Sequence, residues 1–192
     1  MAISLSKGQR LSLEKETGRT LDRVVMGLGW DTHKRKGLFG FLGGGDVDLD
    51  ASAGLFDAQG NLLDQVWFQQ LQSKDGSVRH SGDNVTGAGE GDDEQIQVQL
   101  SKVPAQVQTM VFVVTSYSGD SFDKVENAFC RLVDSATNQE VARFTLSGKG
   151  SHTALIMVSV YRKDGGWSIR AVGEPAMGRS IRDILPQMRQ AL

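Results

Sequence analysis

The stretch Gln95-Ile96-Gln97-Val98-Gln99-Leu100 alternates polar and apolar residues without a break. Successive side chains of a strand point to opposite faces, so Ile96, Val98 and Leu100 enter a core while the glutamines face water. A period of two also runs through parts of residues 22–30, 46–56 and 127–133, which predicts half-buried strands there. The continuous apolar runs 110–115 and 154–160 predict central strands buried on both faces, and 62–68, 140–146 and 167–172 complete the set. Turn residues punctuate them: Ala58-Gln59-Gly60-Asn61, Lys74-Asp75-Gly76 and Lys163-Asp164-Gly165-Gly166. Many short strands at this spacing predict an all-β fold, a β-sandwich of antiparallel sheets. With 192 residues, one domain over 1–192 is expected.

Two segments depart from the period. In residues 180–191, Ile181, Ile184, Leu185 and Met188 fall on one face at helical spacing, which predicts a short C-terminal helix. Ser180 with Asp183 makes its N-terminal capping pair, and Pro186 kinks or restarts it. Residues 34–45, Lys-Arg-Lys-Gly-Leu-Phe-Gly-Phe-Leu-Gly-Gly-Gly, have no strand period and read as a flexible basic and glycine-rich loop.

The formal net charge of −2 gives no basic excess, so no nucleic-acid partner is expected. Cys130 is the sole cysteine, which excludes an internal disulfide and a cysteine metal cluster. It sits in an apolar strand pattern and reads as a buried structural thiol. The start, Met-Ala-Ile-Ser-Leu-Ser-Lys, lacks the apolar core of a signal peptide, and the longest apolar stretch, around 153–161, is far below the ~20 residues of a membrane helix. A cytoplasmic protein is expected.

The chemistry concentrates in Gly82-Asp83-Asn84-Val85-Thr86-Gly87-Ala88-Gly89-Glu90-Gly91-Asp92-Asp93-Glu94, which holds five carboxylates, with no Lys or Arg anywhere from His80 to Ser101. Crowded like charges repel, and a bound cation relieves that repulsion more directly than protonation. Glycines let backbone carbonyls turn inward beside the carboxylates. In Asp46-Val47-Asp48-Leu49-Asp50, alternation puts the three aspartates on one face and Val47, Leu49, Ala51, Ala53 and Leu55 on the other. Such a row is costly unless lysines or a cation sit nearby. Asp31, after Gly27-Leu28-Gly29-Trp30, is a further candidate ligand for a shared site. The histidines show no zinc spacing, and oxygen-only donors on a flexible loop favour calcium, which accepts ~6–8 oxygens in loose geometry. Asp83 to Glu94 and Asp46-x-Asp48-x-Asp50 each imitate part of an EF-hand, but Val85, Gly87 and Ala51 stand at the wrong positions.

Gly27-Leu28-Gly29-Trp30-Asp31, Asp48-Leu49-Asp50-Ala51-Ser52, and Gly82-Asp83-Asn84-Val85-Thr86-Gly87 followed by Gly91-Asp92-Asp93-Glu94 resemble the hallmark blocks of the TerD family of tellurium-resistance and stress-response proteins. The likeness continues through residues 122–134 and 161–173, and the insertion at 34–45 is similar to the TerZ-like branch. The resemblance implies a β-sandwich in the bacterial cytosol, with calcium at acidic loops and a place among resistance functions against tellurite, phages and colicins. It carries the metal role onto Asp31, Asp48, Asp50, Asp83, Asn84, Thr86, Gly91, Asp92, Asp93 and Glu94. It also implies complexes with other tellurium-resistance proteins, some at the inner membrane, and one cyclic-AMP-binding relative keeps a nucleotide ligand in view.

No catalytic set is expected. Asp92-Asp93-Glu94 resembles a magnesium site for phosphoryl transfer, but the acidic segment supplies no cationic phosphate clamp, and no Ser-His-Asp or Cys-His set is legible. The reading is a calcium-dependent binding or scaffold module. Its alternatives are a membrane-surface module analogous to C2 domains, which the basic loop at Lys34-Arg35-Lys36 supports, or a nucleotide-binding module.

Overall fold

The computed structural model describes residues 2–32, 48–82, 92–145 and 150–192, excluding the side chains of residues 31, 32, 126 and 127. The basic segment 34–45 therefore lies outside the described residues. In chain order the elements are β1 (Ile3–Ser4), β2 (Arg10–Ser12), α1 (Leu13–Thr17), β3 (Arg23–Thr32), β4 (Leu49–Phe56), β5 (Leu62–Val66) and β6 (Val78–His80). There follow β7 (Glu94–Gln99), β8 (Thr109–Ser116), β9 (Val125–Asp134), β10 (Gln139–Thr145), β11 (Ala154–Lys163), β12 (Gly166–Ala176) and α2 (Leu185–Met188). Six strands form one sheet in the order β1-β10-β9-β3-β7-β6, and six form the other in the order β2-β12-β11-β8-β4-β5. All pairs are antiparallel except β1 with β10.

The period-two strands meet face to face. Val24, Met26, Leu28, Ile96, Val98, Cys130 and Leu132 of the first sheet share a core with Ala53, Leu55, Met110, Phe112, Val158 and Ile169 of the second. Gln97 is exposed and Gln95 and Gln99 are half-buried on the outer side, as the alternation requires. Leu100 is buried as expected but belongs to a 3₁₀ turn, Leu100–Lys102, beyond the end of β7. At the β11–β12 hairpin Lys163 pairs with Gly166. The two linking residues, Asp164 (φ 52°) and Gly165 (φ 81°), are left-handed as a two-residue hairpin with the native twist demands.

β4 departs from expectation, since all eight of its residues are buried rather than one face of them. At Gly54 and Phe56 the reason is a third layer. Ile181, Ile184, Met188 and Ala191 pack over Phe56, Val111, Val113 and Ile156 on the outer face of the second sheet. This C-terminal cover is also less helical than its spacing suggests. α2 spans Leu185–Met188 and continues as a 3₁₀ turn over Arg189–Ala191, while Ser180 to Ile184 form turns. Pro186 stands in the first turn of α2. It has no amide to donate to the Arg182 carbonyl and its ring would collide with that carbonyl, so no helix runs through from Ser180. Asp183 does engage Ser180, but its carboxylate accepts from the Arg179 and Ser180 amides, both at 2.9 Å, and closes the turn upstream.

Cys130 is 2% exposed in β9, facing the core. Burial pushes its thiol up to about 12, so almost no thiolate exists at neutral pH. In the native state Cys130 is expected to react with a thiol reagent only at the rate of unfolding. Labelling within seconds in the absence of denaturant would contradict this packing.

Candidate functional site

The end of β3, the start of β4, the end of β6 and the start of β7 lie at one end of the sandwich. β3 and β7 reach that end with Leu28 opposite Glu94, and Ala51 of β4 is joined to both Glu94 and His80. Asp48, Gly82 and Asp92, the described residues that flank segments 33–47 and 83–91, are at this end too.

Glu94 precedes Ile96 and Val98 by the strand period, so alternation turns a carboxylate into the core. It is 1% exposed. Its Oε2 accepts the Ala51 amide at 2.6 Å and lies 3.3 Å from His80 Nε2, which is itself 3.1 Å from the Ala51 carbonyl. The pairing of β4 with β5 begins only at Ala53, which leaves Ala51 on an uncovered edge. Glu94 and His80 of the first sheet take the backbone groups there that a neighbouring strand would otherwise pair. The Gly82 amide donates to Nδ1 at 3.0 Å, which assigns the proton to Nε2. Burial alone would lower the His80 pKa, but the hydrogen bond and charge of Glu94, the Ala51 carbonyl and the charge of Asp50 together raise it above its ordinary value.

Asp92 has a partner from another strand. Arg131 of β9 grips it with two bonds, Nε to Oδ1 at 2.7 Å and Nη2 to Oδ2 at 3.1 Å, and the Gln95 amide adds a third at 3.3 Å. Arg131 also reaches Glu140, which binds Arg143 through both oxygens. Gly27 stands between Arg131 and Gln95 in the register. A Cβ there would overlap the Asp92 carboxylate, so the glycine lets the acid lie flat on the sheet. Asp93 extends the β3–β7 pairing, its amide donating to the Leu28 carbonyl and its Oδ2 accepting the Trp30 amide, both at 2.8 Å.

Asp50 is buried and Asp48 half-buried, while Leu49, Ala51, Ala53 and Leu55 face the main core as the alternation predicts. Asp31 pairs through its backbone with Glu126. Asp46, Asp83, Asn84, Thr86, Glu90 and Gly91 lie outside the described residues. Among the described residues, no three His, Cys, Asp or Glu converge where one metal ion would sit. The structure therefore brings Asp48, Asp50, Asp92, Asp93 and Glu94 to one end without assembling them around a point. His80 and Arg131 were not read from the sequence as part of this site. For His80 the alternation Val78-Arg79-His80 was a signal; Arg131 becomes visible only once β9 is known to lie beside β3.

The TerD domain profile matches residues 1–186. The chain is 48% identical over 184 residues to the tellurium resistance protein TerZ of Serratia marcescens, covering 95% of this chain and 94% of that one. It is 45% identical over 190 residues to general stress protein 16U of Bacillus subtilis, covering 95% of each. A crystal structure of a TerD homologue from Streptomyces coelicolor A3(2) superposes with a TM-score of 0.72, over 90% of this chain and 99% of that one, at 20% identity, which speaks to fold. Among the described residues no helix is long and apolar enough to cross a membrane. With a family profile and several close relatives spanning nearly its whole length, the chain belongs to the TerD-domain family of tellurium-resistance and general stress proteins.

Proposed function

We propose that the acidic end binds calcium, and that the chain acts as a calcium-dependent, non-catalytic binding module in the stress and tellurite responses for which its relatives are named. The observation that carries this reading is the gathering of Asp48, Asp50, Asp92, Asp93 and Glu94 at the end of the sandwich that flanks segment 83–91, to which the sequence adds Asp83 and Glu90. A concentration of carboxylates at one end favours a cation there, and oxygen-only ligands fit a hard divalent ion. The donor chemistry fits calcium. The ligands we propose are drawn from Asp31, Asp48, Asp50, Asp83, Asn84, Thr86, Gly91, Asp93 and Glu94. Asp92, held by Arg131, anchors the stem of the segment. Calcium would then tie the segment to β3 and β4, and the surface so ordered is what other tellurium-resistance proteins, some at the inner membrane, would recognise.

A ligand that binds only the native state at 100 times its Kd stabilises it by ~2.7 kcal/mol. For a chain of this length that is roughly 5–10 °C in melting temperature. Magnesium should give a smaller shift, because it dehydrates reluctantly and demands a stricter octahedron. The test is thermal melting in chelator, in calcium and in magnesium; equal melting temperatures in chelator and in millimolar calcium would sink the calcium reading. A second reading, calcium-dependent docking on an anionic membrane, is favoured by Leu71 and Tyr117, 46% and 50% exposed. Tyr117 directly follows the end of β8, where Ser116 pairs with Leu49, and the Leu71 carbonyl accepts the His80 amide.

A further inference from the structure

The outer face of the first sheet carries a cationic groove at the opposite end of the β3–β7 ladder from the acidic residues. That ladder runs from Arg23 opposite Gln99 to Leu28 opposite Glu94. Five residue steps separate the two ends, roughly 17 Å at ~3.4 Å per step. Val24, Val78 and Val98 point into the core, so Arg23, Arg79, Gln97 and Gln99 project outward, with Ser77 buried beneath them. Arg79 stands beside Gln97 and Arg23 beside Gln99, while the Gln99 amide donates to the Ser77 carbonyl at 2.8 Å. Lys102, from the 3₁₀ turn after β7, completes the wall of a groove of about 260 Å³.

Its lining holds three cations and no carboxylate. Two acids stand at its rim: Asp22, 3.7 Å from Arg23 Nε with both side chains more than half exposed, and Asp75, an exposed residue whose Oδ1 accepts the Ser77 amide at 2.7 Å; exposed charges of this kind screen the cations weakly. Ser77 is 2% exposed, and its hydroxyl has no hydrogen-bond partner among the described residues. Folded proteins rarely leave such a group unsatisfied, and the exceptions ask for a ligand or a water. A larger cleft, about 450 Å³ beside the β11–β12 hairpin, contrasts with it: there Arg10, Lys15 and Lys163 are offset by Glu14 and Asp164.

The arrangement of donors narrows the ligand. A carboxylate has two oxygens in one plane, and a single arginine fork saturates it. Here donors come from both flanks and the floor: Arg79 from β6, Ser77 just before β6, Arg23 from β3, Lys102 from beyond β7, and two glutamine amides between them. A tetrahedral dianion can use all of these directions. The groove is smaller than the ~300–1,000 Å³ of sites for drug-sized ligands, and suits one headgroup. We propose that it binds a phosphoryl group, carried by free phosphate or by the phosphomonoester headgroup of a lipid.

NMR titration of the full chain with inorganic phosphate, in chelator so that the acidic end takes no part, should give saturable shifts of the Ser77 amide and the Gln97 and Gln99 side-chain amides. The double variant Arg23→Gln/Arg79→Gln, altered at two exposed positions, should bind about ten- to a hundredfold more weakly. Lys163→Gln removes charge from the other cleft and should bind as wild type does. Sedimentation with phosphatidylcholine vesicles, with and without phosphatidic acid, separates the two sources. Pelleting that needs phosphatidic acid and is lost in the double variant assigns the lipid headgroup; saturation by phosphate without pelleting assigns a soluble phosphate. Neither probe binding saturably, or the double variant binding as tightly as wild type, overturns the proposal.

Discussion

Deletion of residues 177–192 is expected to leave the chain without a cooperative melting transition and prone to aggregate. Ile181, Ile184 and Met188 are fully buried on the outer face of the second sheet. Burial of three such side chains stabilises the fold by roughly 5–9 kcal/mol, against a typical total of about 5–15 kcal/mol for a domain. The deletion also bares Phe56, Val111, Val113 and Ile156, an apolar patch of the kind that drives association. Met188→Ala is the graded version, since the Met188 methyl lies over Gly54, where a Cβ would come within 2.8 Å of it. It should cost about 2–5 kcal/mol. Circular dichroism melting with size-exclusion chromatography reads both. A truncated chain that stays monomeric and melts as wild type does would show that the second sheet needs no cover.

Glu94→Ala should be nearly as costly, and in chelator, where calcium has no part. The substitution removes the acceptor of the Ala51 amide and strips fully buried His80 of its anionic neighbour. Leaving a buried donor without its acceptor costs about 1–3 kcal/mol, and two such donors together cost roughly 4–24 °C of melting temperature for a chain of this size. Glu94→Gln keeps the volume and one acceptor, so it should fall between Ala and wild type. Wild-type melting of Glu94→Ala in chelator would mean that the contact between the sheets contributes nothing and that Glu94 matters only to a bound ion.

Strand alternation was enough to place Leu49, Ala51, Ala53, Leu55, Ile96 and Val98 on the core face, because a two-residue period is written locally; the same period extends back to Glu94, which the sequence reading left in the acidic loop. It did not show that Asp50, Ser52 and Phe56 are buried as well, since the cover over Phe56 comes from residues more than a hundred positions away. β1, β2 and β6, of two or three residues each, are too short to display a period. α1 has a visible cap at Ser12, which accepts the Lys15 amide, and a left-handed Gly18, yet its five residues hold little more than one turn. The acidic segment argued for a cation because it contains none. For Asp92 that cation is Arg131, 39 residues along the chain and invisible until β3 and β9 are paired.

The edges of the two sheets impose an order on synthesis. β1 closes one sheet on β10 and β2 closes the other on β12, so the first dozen residues hold strands from the last third of the chain. On the ribosome, β1 and β2 therefore have no strand partners until residue 139, and then residue 166, have emerged. Pairing over such separations slows folding and prolongs the life of incomplete sheets. Inner pairs such as β4 with β5 and β3 with β7 can form earlier, but each sheet of the nascent chain lacks an edge strand until β10 and β12 have been made.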